Sequence, residues 1–431
     1  MRLAARCSRF IAISVASTAA CIPVPQAQAA DDDADALSLS SAPAEASTEA
    51  APKTKFFAEG VLGSASRRNG SGSHTLARAS LDLTHSADLA PGWRAALSDR
   101  LDYVCPSDPI AGEGDATINS LREAYVSWQR ADGNTAIDLG RVNLRYGPGY
   151  GYNPTDFFRD GALRTMTSTN PLALRENRLG TFVLRGQQLW NGGGLSVAYS
   201  PKLADRPSTE GFSLDAGATN NRDRGLVALS SQFSDRISTQ WLLYKERGLP
   251  AQIGASATAL LTDAAVAHAE WSRGREPDLL NRAAATGTRT TRNRFVGGLT
   301  YTIASKLSIT AEYQYNGFAL DRSGWDAVAV ASPAALGAYL LEAQRRQDLA
   351  SRDAYLVYIT QKSLLLKNLD ATALLRVNAG DHSRLAWIEL RHHWSHVDLA
   401  LQLQQQSGRF GSEYGLYPDR RSAQLLATYF F

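Results

Sequence analysis

From Phe56 to Phe431 the chain alternates apolar and polar residues with a period of two, which commits it to strands. The last segment puts Ala423, Leu425, Ala427, Tyr429 and Phe431 on one face and Arg420, Ser422, Gln424 and Thr428 on the other. Leu307, Ile309, Ala311, Tyr313 and Tyr315 likewise oppose Ser308, Thr310, Glu312, Gln314 and Asn316. Ala77, Ala79, Leu81 and Leu83 oppose Arg78, Ser80, Asp82 and Thr84. Soluble sandwich strands are usually shorter. A tilted strand that crosses a bilayer needs roughly 9–11 residues with one apolar face.

Beyond the N-terminus no run of about 18 apolar residues occurs, so no transmembrane helix is expected. A bilayer then leaves one solution, an all-β, antiparallel transmembrane barrel in which every backbone group is paired. The segments 56–66, 74–87, 92–104, 117–130, 135–146, 180–190, 193–201, 223–233, 236–247, 250–261, 264–274, 293–303, 306–317, 352–364, 367–379, 383–394, 396–407 and 420–431 make about eighteen strands. Sixteen is the alternative, with 193–201 and 223–233 the least secure. An even count puts both ends on one side. Short connections, such as Ser234-Asp235 and Thr262-Asp263, alternate with long ones at 105–116, 147–179, 202–222, 275–292, 318–351 and 408–419. The short turns are expected in the periplasm with both termini, and the long loops outside the cell.

Residues 1–29 read as a signal peptide: Arg2, Arg6 and Arg9, an apolar stretch from Phe10 to Ala20, then Ala27-Gln28-Ala29 for cleavage. A lipoprotein signal ending at Cys21 is the rival, but the usual Leu three residues earlier is missing. Removing the signal takes away three arginines and no acid, so the formal charge of +3 falls to zero. Such balance argues against nucleic-acid binding. Three cysteines exclude a disulfide framework or a multi-cysteine metal centre. Residues 30–55 read as a disordered acidic leader that hints at a periplasmic partner, and 56–431 as the barrel.

Trp93, Trp128, Trp190 and Trp394 lie beside short turns and fit an interfacial girdle. Phe431, with Tyr429 two residues before it, resembles the signal read by the outer-membrane assembly machinery. That machinery, outer-membrane lipid and lipopolysaccharide are the expected partners.

The least generic segment runs from Leu139 to Asp160. Strict alternation would turn Arg141, Asn143 and Arg145 toward lipid, so a bulge at Gly140 is expected, sending Val142 and Leu144 outward. Asn153 and Pro154 then predict an N-cap and a helical turn through Phe158. A loop of this kind can fold inward and narrow a pore. Arg141, Asn143, Arg145, Asp156, Arg159 and Arg164, joined by Arg175, Arg178 and Arg185, would form the constriction. Arg376, Glu389 and Arg391, with His393, Asp398, Glu270 and Glu312, would line the far wall. Guanidinium groups favour anionic or hydroxyl-rich solutes. The opposing reading pairs these arginines with Asp138, Asp156, Asp160 and Glu176, or with lipopolysaccharide phosphates. Ser332 and Pro333 open a helix through Gln347 in the loop 318–351.

No enzyme, cofactor or metal is expected. By alternation His392 and His393 face opposite sides and His396 starts another strand. Asp381-His382-Ser383 are chain neighbours and cannot form a triad. With the Gly140-Arg141 strand leading through a Gly-rich loop to Asn153-Pro154-Asp156, and with Phe431 last, the chain resembles large monomeric outer-membrane porins. In organisation it is similar to the eighteen-stranded carboxylate-selective channels and the alginate-export barrels, over 56–431. That resemblance implies passive passage of small anionic or sugar-like solutes, or polymer export, but no particular substrate. The alternative is a closed structural or assembly barrel acting through its loops and leader.

Overall fold

The structure is a computed structural model that describes residues 53–68, 70, 72–105 and 116–431. The expected signal peptide, and the leader up to residue 52, lie outside the described residues. Eighteen strands follow in chain order: β1 (Thr54–Arg67), β2 (Ser73–Ala90), β3 (Trp93–Val104), β4 (Thr117–Gln129), β5 (Thr135–Val142), β6 (Thr181–Trp190), β7 (Gly193–Ser200), β8 (Arg224–Ser234), β9 (Ile237–Glu246), β10 (Gln252–Thr262), β11 (Ala265–Glu276), β12 (Thr290–Thr302), β13 (Leu307–Asn316), β14 (Asp353–Gln361), β15 (Leu369–Asn378), β16 (Arg384–His393), β17 (Val397–Ser407) and β18 (Asp419–Phe430). Each pairs antiparallel with the next, and β18 pairs with β1, so the sheet closes on itself. The expected strand count holds. Because β1 starts at Thr54, the last two residues assigned to the leader belong to the wall.

The two faces follow the alternation. On β13 Ser308, Thr310, Glu312, Gln314 and Asn316 are buried, whereas Ile309 and Tyr313 are exposed. Leu62, Leu139, Leu184, Leu243, Leu299 and Leu425 stand exposed around the outside and form an apolar belt. Trp93 faces Trp128 across β3 and β4, and Trp190 and Trp394 are exposed at the same short-turn end. Phe56 stacks on Phe431 at 4.7 Å, where the ring of strands closes.

Among the described residues five short helices lie in the long connections: α1 (Pro171–Glu176), α2 (Ala216–Thr219), α3 (Leu279–Ala283), α4 (Arg322–Ala331) and α5 (Pro333–Arg345). The helix expected after Ser332 is α5, and the Ser332 hydroxyl accepts from Ala335 N at 3.2 Å. Leu336, Tyr339 and Ala343 of α5 pack with Trp325 of α4 and Leu279 of α3, giving the long-loop end its own apolar core. Asn153 does not cap a helix, and 154–158 makes only turns. The capping pair is Asn170-Pro171 instead, with Asn170 Oδ1 accepting from Leu172 N at 3.1 Å.

Candidate functional site: a loop across the lumen

β5 stops at Val142, four residues short of the expected end, and the chain turns into the barrel. No bulge occurs at Gly140; it stays in register with Tyr125 and Val183, at φ +135°. Val142 and Leu144 therefore do not face outward. They pack inside with Phe158 against Val183, Ala198, Leu226 and Leu242. Phe157 stacks on Tyr244 at 4.7 Å and 4°. An apolar lumen wall on β6 to β9 thus receives an apolar loop, and burial of these side chains drives the loop inward.

Two carboxylates on the far wall hold the loop. Glu270 of β11 accepts from Gly149 N at 2.6 Å, Asn153 Nδ2 at 3.0 Å, and Thr155 N and Oγ1 at 3.3 and 2.8 Å. Glu312 of β13 accepts from Tyr150 N at 2.6 Å, Gly151 N at 3.0 Å and Gln314 Nε2 at 2.7 Å, and pairs with His268 at 3.0 Å. Arg376 of β15 donates to Gly151 O at 2.6 Å. Approach this close needs glycine: a Cβ on Gly151 would lie 2.5 Å from Gln314 Nε2, and Gly147 has φ +88°. Arg175 donates to the carbonyls of Tyr146, Gly147 and Gly149, while Asn143 donates back to those of Arg175 and Glu176.

The second half of the loop reaches the opposite wall. There Arg78 of β2 donates to Thr167 O at 2.9 Å and Arg122 of β4 to Asn177 Oδ1 at 3.0 Å. Arg78, Arg100 and Arg122 sit on three adjacent strands. Arg100 contacts Glu59 at 2.8 Å, Asp102 at 3.0 Å and Asp82 at 3.4 Å. Arg78 meets Glu59 at 3.0 Å and Arg122 meets Asp82 at 2.5 Å. Between this ladder, the loop and β16–β17 remains a cavity of about 190 Å³. Glu59, Arg78, Arg100, Asn170, Glu176, Glu389, Arg391 and Gln402 line it, with three arginines facing three carboxylates. The ladder was not singled out from sequence, although alternation already placed Arg78 and Asp82 on a polar face.

Most of the expected arginines are spent on structure. Arg185 pairs with Asp138 at 2.7 Å, Arg178 with Asp156 at 2.5 Å, and Arg159 with Asp348 at 3.1 Å. Arg141 donates to Leu121 O at 3.4 Å and Arg164 to Asn119 O at 2.6 Å; Asn119 N in turn donates to Gly211 O at 2.8 Å. These groups serve the edge of β4 left bare above Ala124, where β5 has already departed. An unmet backbone group at bilayer depth costs several kcal/mol, which accounts for both arginines being drawn there. Arg145 alone of that set is exposed, with no ion pair among the described residues. Arg376 stands on β15, and Glu389 and Arg391 on β16. His393 pairs with Asp398 at 2.9 Å.

At the long-loop end Asp160 joins the loop to the helical cap, meeting Arg345 at 2.7 Å and Arg346 at 2.9 Å, with Arg222 on its other side at 2.5 Å. Burial alone would raise its carboxyl, but the guanidiniums of Arg346, Arg222 and Arg345 hold it well below the usual range. Glu413, in the connection before β18, behaves oppositely. Burial and the nearby Asp381 charge push it up to about 7, although Ser351 and Asn378 donate to it. A carboxyl raised on folding binds its proton more tightly in the docked loop. Docking is therefore tightest below its unfolded value and weakens as pH rises through about 7. Limited proteolysis of residues 408–418 should be faster at pH 8 than at pH 5. Glu413→Gln should abolish that difference.

No protein-family model matches the chain, and no curated protein matches it. Solved structures do. Acinetobacter baumannii OccAB1 superposes with TM-score 0.58 at 10% identity, over 88% of this chain and 96% of that one. The fold is that of the eighteen-stranded outer-membrane channels. Pseudomonas aeruginosa OccK8 (OprE) gives 0.53 at 13% identity, over 88% and 98%. Pseudomonas aeruginosa OccK2 (OpdF), solved in complex with glucuronate, gives 0.53 at 11% identity, over 88% and 97%. With this channel fold the chain shares a closed wall, matched over 88% of its own length; identities this low speak to fold alone.

Proposed function

We propose that the protein is an outer-membrane channel, not an enzyme, for passive passage of small polar solutes. The short turns and both termini would face the periplasm. The observation that carries this reading is the cavity of about 190 Å³ left where the loop meets Arg78 and Arg100 of the ladder. A space of that size suits a small solute better than a polymer. Its lining offers guanidinium donors and carboxylate acceptors side by side, so a solute with both a carboxylate and hydroxyls finds partners on each wall. The glucuronate held by OccK2 has that chemistry. Arg145, exposed and with no ion pair among the described residues, would add a modest anion preference.

Single-channel conductance of the refolded protein in planar bilayers, with the reversal potential under a salt gradient, tests this. Small steady conductance with weak anion preference is expected. A folded, heat-modifiable barrel that conducts nothing would overturn the channel reading and favour a closed structural barrel. The filled lumen wall at β13, where Gln314 and Asn316 are fully buried, is what keeps that second reading in play.

A further inference from the structure

The outside of the barrel carries a charged patch that the channel function does not use. On β11 the outward residues run Ala267, Ala269, Trp271, Arg273 and Arg275 toward the long-loop end. Trp271 lies opposite Phe295 of β12, and Phe295 opposite Tyr315 of β13. Phe295 and Tyr313 rings are 6.4 Å apart, and Tyr313 and Tyr355 rings 5.7 Å apart. This aromatic band marks where the belt meets the interface. Arg273 and Arg275 lie roughly 7 and 13 Å beyond Trp271 along the strand, less in height once the strand tilts. That is headgroup depth.

Both arginines are exposed and make no ion pair among the described residues. The third cation is Lys245 of β9, outward and exposed, with its ammonium on the carbonyl of Leu249. Between β9 and β11 the outward positions of the intervening strand are Ile253, which faces both Leu243 and Arg273, and Ala251 before it. These small or apolar residues leave a floor about 10 Å wide between the cations. Two acids flank the patch and both are engaged: Asp223 by Arg247 at 3.3 Å and Lys202 N at 2.9 Å, and Asp353 by the Tyr313 hydroxyl at 2.5 Å. Cations at the belt's edge with no carboxylate partner among the described residues call for an anion from the membrane itself.

We infer that Arg273, Arg275 and Lys245 bind the phosphate of a membrane lipid headgroup, with its acyl chains laid over Ile253, Leu243 and Trp271. Arg presents paired donors that suit phosphate oxygens, and the aromatic band seats the lipid at the right depth. The site rests on the barrel lying in a membrane, as proposed above. It does not depend on solute passage.

Native mass spectrometry of the detergent-solubilised full chain tests it, with bis-phosphorylated lipid A, its dephosphorylated form and inorganic phosphate as probes. The wild type should bind bis-phosphorylated lipid A well above the other two. R273A/R275A should lower that binding by about tenfold or more, since each basic residue near an anionic surface contributes roughly one factor of five. R384A/R421A removes two other outward cations, on β16 and β18, that have no aromatic band beside them, and should change it little. Equal binding of dephosphorylated lipid A, or equal loss in both double variants, would overturn the site. Inorganic phosphate competing fully would point to a free anion rather than a lipid, and would overturn it too. Folding is checked by heat-modifiable mobility. Conductance should be unchanged in R273A/R275A, so a failed channel assay and a failed lipid titration are separate results.

Discussion

E270Q/E312Q should raise single-channel conductance severalfold and make it noisier. The two carboxylates accept from six loop groups on five residues and meet two wall side chains besides. A hydrogen bond to a charged group contributes about 1.5–3 kcal/mol, and a donor left unmet costs about as much. Glutamine keeps the shape but turns an amide NH₂ toward the NH groups of Gly149 or Tyr150, so attraction becomes donor against donor. Several kcal/mol of loop docking is lost while every strand pairing stays intact. The barrel should remain heat-modifiable, and the loop's far end should swing free. Unchanged conductance in that folded variant would show that the loop is not the constricting element.

R78S/R100S should reverse the ion preference. Arg122 still meets Asp82, but Glu59 and Asp102 lose the guanidiniums that neutralise them. Uncompensated carboxylates on a lumen wall draw cations. The reversal potential under a salt gradient should move to the cation side, and less so at high salt, where screening shortens to about 3 Å at 1 M. R78K/R100K keeps the charge and should keep the sign. A double serine variant that stays anion-preferring would separate the ladder from selectivity.

How much of this was legible depends on what set each feature. β13 reads directly, because its inner face is polar and its outer face apolar residue by residue. β8 does not: Leu226 and Ala228 face the lumen and Val227 and Leu229 the outside, so both faces are apolar. The lumen residues there are apolar because the loop's Leu144 and Phe158 lie on them. That contact is with chain more than sixty residues earlier, beyond any local period. For the same reason Glu270 and Glu312 could be placed in the lumen but not matched to the loop amides they hold. The arginine ladder needed the register of β2, β3 and β4, which brings Ser80 opposite Asp102 and Arg100 opposite Ser120. Arg141 and Arg164 could not be matched to the β4 carbonyls they meet, because a strand that leaves its wall early is not visible as a change in alternation.

That early departure of β5 has a further consequence. Above Ala124 the wall is completed chiefly by Arg141, Arg164 and Gly180, all on or directly flanking the inward-folded loop, with Gly211 of the β7–β8 connection capping one β4 amide. The gate and a piece of the hull are therefore one continuous length of chain. Point changes at its far anchorage can widen the bore, but cutting the segment out would leave a seam open to lipid. Variation in this protein should accordingly reshape the segment by substitution and spare its length.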